Sequence, residues 1–162
     1  MKTITFMRHG KSSWEFDISD DQRPLKKRGR KEAILVATKF NETNRVKVDL
    51  LISSYAKRAY ETGKIYCETV GVSIDEINVN NHMYDFSGNQ VLELIKSLDN
   101  SVQHVMLFGH NYAFTNLVNL FGSTYIENIP TAGLVSISFN SEVWKNLGSG
   151  TIKLKLFPKE LR

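Results

Sequence analysis

Lys2-Thr3-Ile4-Thr5-Phe6-Met7-Arg8-His9-Gly10 is the stretch from which the fold is read. Its apolar run, Ile4 to Met7, reads as a short strand that ends in a guanidinium, an imidazole and a glycine. Such a strand tip exposes a nucleophile beside an anion clamp, and the glycine lets the chain turn sharply behind them. Taken alone, Arg8-His9-Gly10 reads equally as a polar turn. Two further elements alter the balance. Arg58 stands in Ser53-Ser54-Tyr55-Ala56-Lys57-Arg58-Ala59, and His110 in Phe108-Gly109-His110-Asn111. Each falls where a strand gives way to a helix. Two arginines and two histidines at such junctions are the parts of a phosphoryl-transfer site.

Outward from this stretch, strand-like and helix-like segments alternate. After a charged loop, Lys11 to Arg23, the spacing predicts a helix over about 29–40 with Ala33, Val36, Ala37 and Phe40 on one face. Asp49 to Ser53 is a short apolar strand. A second helix, about 56–70, gathers Ala59, Thr62, Gly63 and Tyr66, and Ile77 to Asn80 reads as another short strand. Val91, Leu94, Ile95 and Leu98 keep the spacing of one buried helical face. Val102 to Phe108 is almost continuously apolar, as a strand covered on both sides should be. The next helix, about 111–121, sets Phe114, Leu117, Val118 and Phe121 together. Near the end the pattern changes. Val135, Ile137 and Phe139 alternate with serines, and Ile152, Leu154 and Leu156 alternate with lysines, which suits strands toward a sheet edge.

This order predicts an α/β fold, a three-layer α/β/α sandwich with a mostly parallel central sheet; an antiparallel edge strand is compatible with it. Ligands in such folds collect beyond the carboxyl ends of the strands. Arg8-His9, the Ser53-Ser54 loop and His110 would all lie at that end.

The 162 residues suit one domain with a core of its own. No stretch has the apolar length of a membrane span, and the first residues lack the apolar core of a signal peptide, so a cytoplasmic location is expected. The single cysteine, Cys67, excludes an intrachain disulfide and multi-cysteine metal patterns, and its helical context predicts a buried thiol. The formal charge of +4 favours anionic partners without marking a nucleic-acid binder.

Arg8-His9-Gly10, Ser54 to Ala59 leading to Thr62, and Gly109-His110-Asn111 together resemble the histidine phosphatase superfamily, the phosphoglycerate mutase-like fold. The short chain, Arg23-Pro24-Leu25 followed by Gly29, and Pro130-Thr131-Ala132-Gly133 before a strand are similar to its small SixA-type phosphohistidine phosphatase branch. The sequence departs from that branch at Tyr55, where proline is usual. The resemblance spans the chain and implies a single histidine phosphatase domain over residues 1–162. It implies that His9 is the nucleophile and carries the phosphoryl group. Arg8, Arg58 and His110 would hold its oxygens, with Asn111 and Arg23 as further substrate-binding residues. No metal or other cofactor is required, because arginines fill the electrostatic role. The expected substrate is phosphohistidine in a protein, such as a phosphorelay domain. The second reading within the family is a small phosphorylated metabolite. A monomer is expected.

Several residues carry plainer readings. Arg58 could be a solvated arginine and His110 a helix cap, and Arg23 could pair with Asp20 or Asp21. Asp85 is the candidate general acid, with helix capping as its alternative. His82 and His104 read as structural or surface residues. The run Lys26, Lys27, Arg28, Arg30, Lys31 is either a solvated helix end or a collar for phosphorylated or acidic partners. It lacks the interleaved aromatics of a nucleic-acid surface. A non-catalytic phosphate-binding module is the remaining alternative, although the nucleophile it would lack is present. A mutase is disfavoured, because the chain leaves little room for insertions enclosing a sugar phosphate.

Overall fold

Alternation of short apolar strands with amphipathic helices builds one sheet with helices on both faces. The computed structural model describes residues 1–162. The strands are β1 (Lys2–Arg8), β2 (Leu50–Ser53), β3 (Ile77–Val79), β4 (His104–Gly109), β5 (Leu134–Phe139) and β6 (Thr151–Leu156). They form a six-stranded sheet in the order β3-β2-β4-β1-β5-β6. The pairings β2–β3, β2–β4 and β4–β1 are parallel, and β5 runs antiparallel to both β1 and β6.

The reversed strand is therefore one in from the edge that β6 forms, and β3 forms the other edge. The serines of β5 suggested a half-exposed strand; instead Ser136 is buried and Ser138 half-buried. Ser136 and Ser138 lie opposite Thr5 and Thr3 of β1, with hydroxyl pairs at 3.0 and 3.2 Å. A polar stripe can be buried when each hydroxyl finds a partner. β6 keeps its lysines outward, as a blunted edge should.

Helices α1 (Lys27–Thr43), α2 (Lys57–Val70) and the short α5 (Pro158–Leu161) accompany one face. Ala33, Val36, Ala37 and Phe40 of α1 meet Ile65, Tyr66 and Cys67 of α2 over Met106 and Phe108. Helices α3 (Asn89–Lys96) and α4 (Ala113–Phe121) cover the other face. There Val91, Ile95, Phe114, Leu117 and Val118 pack on Ile4, Phe6, Val105 and Leu107. β1 and β4, central and covered on both faces, carry the Arg8-His9 and His110 tips side by side. No helix is long and apolar enough to cross a membrane.

Gly10 has a different duty from the turn expected of it, for its φ is not in the left-handed region. A Cβ there would stand 2.7 Å from the Gly29 carbonyl oxygen, and one on Gly29 would stand 2.2 Å from that of Lys11. The two glycines let the first turn of α1 touch the loop after β1 backbone to backbone. Of the basic run that opens α1, Arg28 pairs with Glu32 and Arg30 with Glu61. Cys67 is fully buried, and burial pushes its thiol up to about 11.

Candidate active site

The parallel register sets Arg8 opposite Gly109. The His9 amide donates to the Gly109 carbonyl at 3.1 Å, and the His9 carbonyl accepts from Ala132 at 2.9 Å. The nucleophile candidate is thus clamped between β4 and the loop before β5. His9 and His110 have ring centroids 5.4 Å apart, and both side chains are buried.

The hydrogen bonds fix the tautomers. His9 Nδ1 donates to the Gly10 carbonyl at 2.7 Å, which leaves Nε2 with its lone pair. Arg58 Nε donates to that Nε2 at 3.3 Å, a long contact. Arg58 Nη2 lies 3.4 Å from His110 Nδ1, and His110 Nε2 donates to Ser54 Oγ at 2.9 Å. Arg8 Nη1 donates to the Ile129 carbonyl at 2.8 Å, while its buried Nε has no partner. Thr62 ties the pieces together: its hydroxyl donates to the Arg58 carbonyl at 2.8 Å and accepts from the Gly10 amide at 3.0 Å.

Burial favours the neutral form of both imidazoles. Burial pushes His9 well below its ordinary value; the Gly10 bond opposes this, and His110, Arg58 and Arg8 add to it. Burial first, then the Arg58 charge, brings His110 down to about 3. An electron pair on His9 beside buried guanidiniums is suited to attack an anionic phosphorus centre.

Other expected residues have different settings. Asp85 is not placed as a proton donor. Its carboxylate accepts from the amides of Ser87, Gly88, Gln90 and Val91, and so caps α3. Burial acts to raise its pKa, but these bonds outweigh it and hold the group below its ordinary value. Asn111 is turned inward: its Oδ1 accepts from Thr115 and its Nδ2 donates to Asn128 at 2.7 Å, so it braces the start of α4 rather than offering its amide group to a ligand. Arg23 pairs with Asp20 at 3.2 Å, donates to Ser12 Oγ at 2.7 Å and stacks 3.5 Å over the Trp14 ring. His104 is a buried structural residue, bonded to Thr5 at 2.7 Å and to the Val46 carbonyl at 3.0 Å.

Three groups of residues escaped the sequence reading. Ser54 fixes His110, and only its place in the Ser53-Ser54 loop hinted at this. Tyr84 and Phe86 stand over His110 with centroids at 5.4 and 4.9 Å, and Tyr55 joins Tyr84 at 4.9 Å. Loop aromatics follow no period, so nothing announced them. Asp20, seen only as a partner for Arg23, also binds Arg58 at 2.9 Å.

A mostly parallel α/β sheet with two histidines and two arginines at its carboxyl end defines a phosphoryl-transfer class of site. The model of the histidine phosphatase superfamily (branch 1) matches residues 4–104, and the chain belongs to that superfamily. Among solved structures, a protein histidine phosphatase SixA complexed with tungstate superposes with a TM-score of 0.82 at 21% identity over 99% of each chain. The SixA of Agrobacterium tumefaciens, an assigned phosphohistidine phosphatase, gives 0.78 at 25% identity, covering 96% of this chain and 97% of its own. A mycobacterial glucosyl-3-phosphoglycerate phosphatase gives 0.66 at 15% identity, covering 95% and 98%. By sequence, no curated protein matches the chain.

Proposed function

We propose that residues 1–162 act as one catalytic unit that removes phosphate from phosphohistidine in proteins, through a phosphoryl intermediate on His9. The observation that carries this reading is the unprotonated Nε2 of His9, its tautomer set by Gly10, facing a buried cluster of Arg58, His110 and Arg8. The Nε2 lone pair attacks phosphorus. The P–N bond of the substrate breaks, and its electron pair leaves with the substrate imidazole, which takes a proton from water. A second water then attacks phospho-His9, the His9–phosphorus bond breaks, and inorganic phosphate departs. Arg8 and Arg58 hold the equatorial oxygens, and a bound phosphoryl group favours the imidazolium form of His110.

The carboxylates support phosphohistidine over phosphomonoesters. An alkoxide leaving group needs a proton donor near neutral pH. Asp85 is bound as a cap. Burial acts to raise Asp20, but hydrogen bonds from Tyr84 and Arg58 bring it down to about 2. An imidazole leaving through a labile P–N bond needs less help. A phosphorylated protein in the cytoplasm, such as a phosphorelay domain, is the partner of this reading; small phosphorylated metabolites are the second.

The test is phosphate release from a phosphohistidine-bearing protein and from p-nitrophenyl phosphate, with His9→Ala beside the wild type. Release mainly from phosphohistidine, lost in the variant, is expected. Release mainly from the ester would move the assignment to small-molecule phosphatases. Activity of His9→Ala within a few-fold of wild type would overturn the mechanism.

A further inference from the structure

Asp20 sits on a single 3-10 turn, Asp20–Gln22, in the loop between β1 and α1. Its contacts with Arg58 are numerous for so exposed a residue. Asp20 Oδ2 accepts from Arg58 Nη2 at 2.9 Å and from the Tyr84 hydroxyl at 2.6 Å. Oδ1 accepts from Arg23 Nε at 3.2 Å. The Asp20 main-chain carbonyl accepts from Arg58 Nη1 at 2.6 Å. No other carboxylate pairs with Arg58.

The guanidinium is planar and presents its donors along distinct edges. Asp20 takes the Nη1–Nη2 edge with two of its oxygens, one from the side chain and one from the main chain. The Nε–Nη2 edge is the one that faces His9 Nε2 and His110 Nδ1, at 3.3 and 3.4 Å. Grip on the outer edge therefore sets the direction of the inner one. A long arginine side chain has several rotatable bonds, and a bidentate hold on a phosphoryl group needs the fork fixed in plane. The brace is itself braced. Arg23 holds Asp20 while stacked on Trp14 and bonded to Ser12, and Tyr84 holds it from the loop that also covers His110.

We propose that Asp20 is a positioning residue that locks the outer edge of Arg58, so that the inner edge meets the phosphoryl group on its way to His9. This rests on the reading of His9 and Arg58 as the phosphoryl site. Two other roles for the same carboxylate fit the geometry less well. A general acid must carry a proton, yet this carboxylate accepts from three donors at once. A competitor for substrate would occupy the edge of Arg58 that faces the histidines, and Asp20 takes the neighbouring one, sharing only Nη2 with it and leaving Nε to His9.

The experiment compares wild type, Asp20→Ala and Asp20→Asn. Tungstate affinity is read by calorimetry. Turnover is read with three donors whose leaving groups differ in basicity: a phosphohistidine protein, p-nitrophenyl phosphate and phenyl phosphate. A brace predicts that Asp20→Ala weakens tungstate binding about ten- to a hundredfold, the range for losing a charge-assisted hydrogen bond. It predicts a similar fractional loss of kcat/KM with every donor. Asp20→Asn, which keeps an acceptor on the side chain and the carbonyl of the main chain, recovers part of both. A loss that grows with leaving-group basicity while tungstate affinity holds would make Asp20 the acid and overturn the brace. Tighter tungstate binding would make it a competitor, and unchanged values throughout would remove its role. Should Asp20→Ala fail to fold, Asp20→Asn, nearly isosteric, carries the test. A wild type that binds tungstate but takes no acid-labile phosphate from phosphoramidate would sink the phosphatase reading, with the brace still judged on tungstate.

Discussion

His9 shows how one backbone hydrogen bond decides which nitrogen reacts. With Nδ1–H given to Gly10, Nε2 has nothing to do but accept, and burial keeps it unprotonated. Arg58 then matters as charge and as shape. Replacing it with alanine should lower kcat/KM at least about a hundredfold, in line with removing a preorganised charge-stabilising donor, and steady-state kinetics with any competent donor checks this. Asp85 tests a different assignment. Asp85→Ala should cost about 1–2 kcal/mol of stability by uncapping α3, read as a lower melting temperature, with tungstate affinity retained. A drop confined to ester turnover with melting unchanged would restore it as an acid. At this scale the sequence discloses the quartet Arg8, His9, Arg58 and His110, because each sits at a recognisable strand-to-helix junction. It conceals Ser54, Asp20 and the aromatics Tyr84 and Phe86, whose meaning comes only from chain segments brought together by the fold.

Among the glycines, Gly29 of α1 has the least room for a side chain, against the loop after β1. Gly29→Ala places a Cβ 2.2 Å from the Lys11 carbonyl oxygen, and backbone cannot yield as a flexible side chain can. The helix must back away from the turn that follows His9. A loss of about 2 kcal/mol or more is expected, the scale of overpacking in a close-packed interior. Urea unfolding measures it, and activity should fall further than stability, since the displaced loop holds Gly10. The helices were legible because their apolar residues recur with helical period: the stripes Ala33-Val36-Ala37-Phe40 and Phe114-Leu117-Val118-Phe121 are buried as expected. Boundaries are less legible, because periodicity does not mark an end. Helix α1 starts at Lys27, earlier than its apolar stripe announces and without a side-chain cap, while the Asp85 carboxylate holds two amides ahead of α3 and two in its first turn. The place of β5 was concealed for another reason. Serine alternation looks the same whether the polar face meets water or meets Thr3 and Thr5 across a buried ladder.

For the whole molecule, three buried histidines govern the response to acid. Burial lowers His9, His104 and His110, the last from 6.5 to about 3. Each then binds a proton more readily in the unfolded chain than in the folded one. Stability is full above pH 6.5 and falls as pH drops from there toward the folded values, by up to roughly 1.4 kcal/mol per pH unit for each group. Urea melts between pH 7.5 and about 4.5 should show this slope; a flat profile would mean the imidazoles are not held neutral. Asp20 acts in the same direction but only below its ordinary 3.8. The order of the sheet also bears on the protein's birth. His9 is synthesised well before Gly109 and Ala132, yet its amide and carbonyl are fastened by them. A nascent chain therefore carries His9 long before it has the site around it. Until the segment through β5 emerges, that imidazole is an ordinary exposed histidine that titrates near neutrality and has no cationic cradle. A chain stalled before β5 consequently lacks the backbone clamp on His9, and the geometry of the site begins only once that segment is made.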